Sequence, residues 1–98
     1  MSSQINDLVA MRDIESLYEI MSEDEEWINQ LDAAEGLVKL GDRRGYEFIL
    51  TATLSDDEEI LEVAKEILDT PELAKMRRQI EDEQASEHRA HLESAKKR

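Results

Sequence analysis

Apolar residues in this chain recur at spacings of three and four, in short runs that polar or glycine-bearing turns interrupt every ten to twenty residues. Ile14, Leu17, Tyr18 and Met21 stand at i, i+3, i+4 and i+7, and Ile5, Leu8 and Val9 precede them in the same style. Asp13 leaves open whether these form one helix or two. A second stretch runs from about Glu23 to Leu40, with Trp27, Leu31, Ala34 and Val38 on one face and Ile28, Leu37 and Leu40 widening it. Gly41 suits a left-handed helix stop and Asp42 the cap of the next helix. Tyr46, Ile49, Leu50 and Thr53 build a third face that ends near Leu54. Ile60, Val63, Ala64, Ile67 and Leu68 build a fourth. No segment alternates in the manner of a strand, so an all-α fold of about four to six helices is predicted. Its short linkers require antiparallel neighbours.

Composition narrows the function classes. Ninety-eight residues make one domain with a thin core. The absence of cysteine excludes disulfides, thiolate metal sites and thiol nucleophiles, and suits a reducing compartment. Apolar runs are too short for a spanning helix or a signal peptide, so a soluble cytoplasmic protein without a membrane role is expected. Net charge is −13, and it is unevenly placed. Residues 1–70 carry nineteen acids and five bases (−14), whereas residues 71–98 carry six acids and seven bases (+1). An acidic body repels phosphate backbones, so no nucleic acid is expected as a partner, and a protein with a basic surface is.

One short motif occurs twice. "SEDEE" at Ser22–Glu26 returns as "SDDEE" at Ser55–Glu59, thirty-three residues later. In each, glutamate follows serine by three residues (Ser22 and Glu25, Ser55 and Glu58), the spacing of a capping box in which serine and glutamate satisfy each other's free amides. Calcium loops need alternating acids, a central glycine and a distant glutamate, and neither box has them. The boxes are therefore predicted to start helices.

Other pieces repeat with them. Arg12, Ile14 and Glu15 match Arg44, Tyr46 and Glu47 at an offset of thirty-two, and Ala33, Glu35 and Leu37 match Ala64, Glu66 and Leu68 at thirty-one. A helix-pair repeat of this length is the signature of an α-solenoid. The stretch "LDAAEGLVKLGDRRGYEFILTATLSDDEEILEVAKEIL", Leu31 to Leu68, resembles the short HEAT-like repeat first associated with phycobilin lyases. Ala33, Ala34, Leu37, Leu40, Gly41, Asp42 and Arg44 stand where that family's pattern places them. Gly36, Val38 and Arg43 depart from it. The likeness extends from about Arg12 to Leu68 and implies a short α-solenoid of antiparallel helix pairs. For function it implies assembly with other proteins, or service as an accessory subunit of a chromophore-lyase-like or other enzyme complex.

Thr70, Pro71 and Glu72 open a further helix, whose stripe of Leu73, Met76 and Ile80 can close the end of the stack. The chain thus divides into a helical repeat domain, residues 1–80, and a charged helical extension or disordered tail, residues 81–98, in which Leu92 is the one large apolar residue.

Nothing in the sequence composes a catalytic set. Its serines lack a glycine-rich elbow, its glycines are too scattered for a phosphate loop, and no carboxylate pair is singled out by an apolar pocket. No enzyme, cofactor or metal is expected. His88 and His91 lie three apart beside Glu87, but two ligands on a polar tail do not make a site. Arg43 and Arg44 are the paired arginines of the acidic body and stand beside Tyr46. Arg44 is expected to tie the turn to a nearby acid, leaving Arg43 freer. With Trp27, a core residue or a solenoid-edge anchor, they are the candidate interaction residues. The expected function is that of a non-enzymatic protein-interaction or adaptor module, and end-to-end stacking of two copies as a homodimer is an open arrangement.

Overall fold

The computed structural model of the protein describes the backbone of residues 3–96 and the side chains of residues 4–86. Among these residues every regular element is helical. The elements are α1 (Ser3–Ala10), α2 (Ile14–Glu23), α3 (Trp27–Lys39), α4 (Arg43–Ala52), α5 (Glu58–Leu68) and α6 (Pro71–Lys96), joined by turns of two to five residues.

Asp13 does divide the first run, and the way it does so is repeated at Asp42. At the end of α1, the Asp13 amide donates to the Leu8 carbonyl (2.9 Å) and the Arg12 amide to Val9 (3.0 Å). At the end of α3, the Asp42 amide donates to Leu37 and the Gly41 amide to Val38 (both 2.9 Å). These are paired Schellman closures, and each puts one residue in the left-handed region: Arg12 at φ 57° and Gly41 at φ 86°. The aspartate that follows caps the next helix. Asp13 accepts from the Ser16 amide and hydroxyl, and Asp42 from the Arg44 amide. The same closure-and-cap arrangement thus recurs at Asp13 and Asp42, an offset of twenty-nine. This corrects the register read from sequence: Arg12 is the counterpart of Gly41, not of Arg44.

The acidic boxes need a second correction. Ser22 lies inside α2, where its hydroxyl donates to the Tyr18 carbonyl (2.7 Å) and is spent on its own helix. Glu26 is the N-cap of α3 and its side chain caps nothing. Asp24 shapes the turn instead, accepting from the Glu26 amide (2.9 Å) and the Asn29 side chain (3.2 Å). In the second box the turn is longer. Ser55 accepts from the Asp57 amide (3.1 Å), and Asp57 caps α5 by accepting from Glu59 (3.0 Å). Both boxes precede helices, but neither is a capping box.

Helix α3 organises the core, since each of the other five helices packs against it. Leu31 and the unbroken run Ala33, Ala34, Glu35, Gly36, Leu37 and Val38 are buried, as suits a helix enclosed on all sides. Small residues let its neighbours approach. A Cβ on Gly36 would come within 2.8 Å of a Val9 methyl, and one on Gly45 would press on the Ala34 carbonyl and lie 2.9 Å from the Leu37 Cβ. Around α3 gather Ile5 and Leu8 of α1, Leu17 and Met21 of α2, Tyr46 and Ile49 of α4, and Ala64 and Ile67 of α5. Leu73 and Met76 bring α6 into this core, with Ile80 half-buried at its edge. Residues 81–86 are exposed. The backbone of α6 passes residue 80 without a break.

Candidate functional site

Helices α3 and α5 begin at the same end of the molecule, each just after an acidic box, and the C-terminal half of α4 runs between their first turns. Trp27 and Leu31 of α3, Phe48 and Ala52 of α4, and Ile60 of α5 line a groove there of about 210 Å³, with Gln30, Thr51 and Ser55 at its rim. Trp27 immediately follows "SEDEE" and Ile60 immediately follows "SDDEE". Two of the four aromatic rings of the chain thus meet between its two most acidic segments. The floor is half-buried apart from the fully buried Leu31, and Glu25, Glu26, Asp56, Asp57, Glu58 and Glu59, which precede Trp27 and Ile60 in the chain, are exposed without lining the groove themselves. None of these six carboxylates is in an ion pair among the described residues. A bulky apolar side chain fits such a floor, and cationic flanks suit such neighbours.

The candidate residues read from sequence do not converge. Trp27 lines this groove, whereas Arg43, Arg44 and Tyr46 sit toward the N-terminal end of α4. Arg43 pairs with Glu83 of α6, both half-exposed. Arg44 grips Asp42 through Nε (3.1 Å) and Nη2 (2.7 Å), and its guanidinium lies 4.2 Å from the centre of the Tyr18 ring. That hydrogen bond, opposed by partial burial, holds the Asp42 carboxyl below its ordinary pKa. Tyr46 is 7% exposed and packs in the core, with its remaining surface in a groove between α4, α5 and α6. Phe48, Ala52 and Ile60 are not among the interaction candidates read from sequence, where Ile60 counts only as part of a helix face. The signal for Ile60 was present: it stands thirty-three residues after Trp27, the same offset as the boxes.

Two other grooves are less suited to a ligand. One, of about 460 Å³ on α1 and α2, has carboxylates of Glu19, Glu23 and Asp24 beside Leu8 and Ile20 and no aromatic ring. Another, of about 350 Å³ between α4, α5 and α6, is bordered by Lys65, Asp69 and Arg77 over Tyr46, Leu50 and Leu68. Inside the molecule, burial pushes the carboxyls of Glu35 and Asp32 above their ordinary pKa, with Lys39 opposing the shift in both. Among the described residues no three His, Cys, Asp or Glu side chains cluster as a metal site, and no helix is long and apolar enough to cross a membrane. His88 and His91 lie outside the described side chains.

Comparison of the chain with protein-family models, curated proteins and solved structures gives no match.

Proposed function

We propose that this chain is a non-enzymatic protein-interaction module, an adaptor built as a short α-solenoid, and that it works in the cytoplasm by holding a basic segment of a protein partner. The observation that carries the reading is the apolar groove between the two acidic boxes. Its floor supplies anchorage through Trp27, Phe48 and Ile60, and the exposed carboxylates of the two boxes, next to Trp27 and Ile60 in the chain, supply selection by charge. The solenoid part is supported by the packing order: α1 and α2 pack on α3, α3 packs on α4, and both α3 and α4 pack on α5 and α6. It is supported too by the twin Schellman–aspartate hinges.

Trp27 is the only tryptophan, so its fluorescence reports the groove directly. Titration with a synthetic peptide carrying one leucine flanked by lysine and arginine should shift that emission, with an affinity that falls steeply as salt rises. Reversing charge at Glu25, Glu58 and Glu59 to lysine should weaken binding by about tenfold, since the lost attraction is long-range and these side chains are exposed. Salt-independent binding, or no emission change with any basic peptide, would sink the proposal.

A further inference from the structure

The chain itself carries a segment with the chemistry this groove selects. Residues 88–98, "HRAHLESAKKR", hold four bases and one acid, with Leu92 as their one large apolar residue. Arg89 stands three residues before Leu92 and Lys96 four after it, the spacing that brings residues onto one face of a helix. An apolar anchor with a cation on either side is what Trp27, Phe48 and Ile60 between two acidic boxes would accept.

The path of α6 decides whether this segment can reach the groove of its own chain. Arg77 lies by Tyr46, and Glu83, further along, pairs with Arg43 at the first residue of α4. So α6 advances toward the N-terminal end of α4, while Phe48, Thr51 and Ala52 place the groove at the C-terminal end. From Ile80, the last of the described side chains packed against the core, a continuous helix carries the backbone of Leu92 roughly 18 Å further along that path at about 1.5 Å per residue. The segment is directed away from its own groove.

We infer that residues 88–98 of one copy occupy the groove between the acidic boxes of a second copy, making a head-to-tail self-association held by charge and one apolar anchor. This inference rests on the function proposed above for the groove. It accounts for the charge division within the chain, −14 over residues 1–70 and +1 over residues 71–98, because a body that repels its own kind would be joined through the oppositely charged segment. The contact is between two different surfaces, so it yields concentration-dependent assembly unless the geometry closes it.

Sedimentation velocity of the full chain at low and high salt tests this. Association at low salt that is lost at high salt is expected. The tail variant Lys96→Glu, Lys97→Glu, Arg98→Glu and the acidic-box variant Glu25→Lys, Glu58→Lys, Glu59→Lys should each weaken self-association at least about tenfold. Mixed together, the two variants should associate again, because each restores the charge the other lost; the three changes at Glu25, Glu58 and Glu59 fall on exposed side chains. A full chain that stays monomeric at every concentration overturns the inference, as does a mixture with no recovery. A peptide of residues 86–98, followed through Trp27 emission beside an unrelated basic leucine peptide, separates the two proposals. Binding of the unrelated peptide alone defeats the self-association and leaves the interaction module standing. Binding of neither defeats both.

Discussion

Helices α3 and α6 both carry apolar residues in their first turns and end in opposite states. α3 is enclosed by five neighbours and buries Leu31 and all six residues from Ala33 to Val38. α6 is twice as long (26 residues against 13), yet among its described side chains only Leu73 and Met76 are buried and every residue from Glu81 to Ser86 is exposed. Helicity is common to both, so it is not what orders the core. What separates them is side-chain size: alanine and glycine on α3 let other helices come close, while the charged residues of α6 beyond Ile80 keep them away.

If that contrast is right, the largest effects belong to α3. Leu37→Ala removes a side chain that is fully buried and should destabilise by about 4 kcal/mol, whereas Ile80→Ala on α6 should cost about 1 kcal/mol. Urea unfolding of the two variants checks the ratio; equal losses would erase the distinction. Gly45→Ala comes next, at about 3 kcal/mol, because its new methyl meets backbone at Ala34 and cannot be relieved by a rotamer change. Gly36→Ala should be milder, about 1 kcal/mol, since Val9 and Leu17 meet it with side chains that can move. Thermal melts that reverse this order would show that the α3–α4 seam is looser than its geometry.

A smaller effect is expected at Glu35. Burial raises its carboxyl pKa, with Lys39 opposing and Asp32 and Glu72 reinforcing the shift. The folded state then binds the proton more tightly than the unfolded state. Its contribution is fully present below the ordinary value of 4.5 and is lost as pH rises through the folded pKa. Glu35→Gln should therefore stabilise the protein at neutral pH, and the advantage should shrink as pH falls. Asp42 has the opposite sign: Arg44 lowers its pKa, so its contribution is present above the ordinary value and fades on acidification. Smallest of all is Glu83→Ala on α6. Its ion pair with Arg43 is half in water on both sides, and a loss of about 0.5 kcal/mol or less is expected. A loss several times larger would mean that α6 is held beyond Ile80 by more than that pair.

Much of the helical plan was readable because period and punctuation are local properties. The face of Leu31, Ala34 and Val38, the stop at Gly41 and the cap at Asp42 follow from a few neighbouring residues, and the structure places them as expected. The capping boxes misled because a serine has more than one carbonyl or amide within reach, and the continuation of α2 through Ser22 to Glu23 decided which one Ser22 would use. Arg12 misled because a left-handed arginine looks, in sequence, like any other arginine. The roles of Gly36 and Gly45 depend on what lies across a helix seam, and no spacing rule encodes that. Of the candidate site, Trp27 was legible as a single residue. Its meeting with Phe48 and Ile60 requires α4 to run between the starts of α3 and α5, which is a property of the packed molecule.

The enclosure of α3 also governs how its backbone meets water. An amide on an outer helix can exchange its hydrogen through local fraying, but an α3 amide is screened by every other helix and opens only when the packing around it gives way. The slowest-exchanging hydrogens of the protein should therefore be those of Leu31 to Val38, and in a hydrogen-exchange experiment their rate is expected to report the free energy of the whole fold.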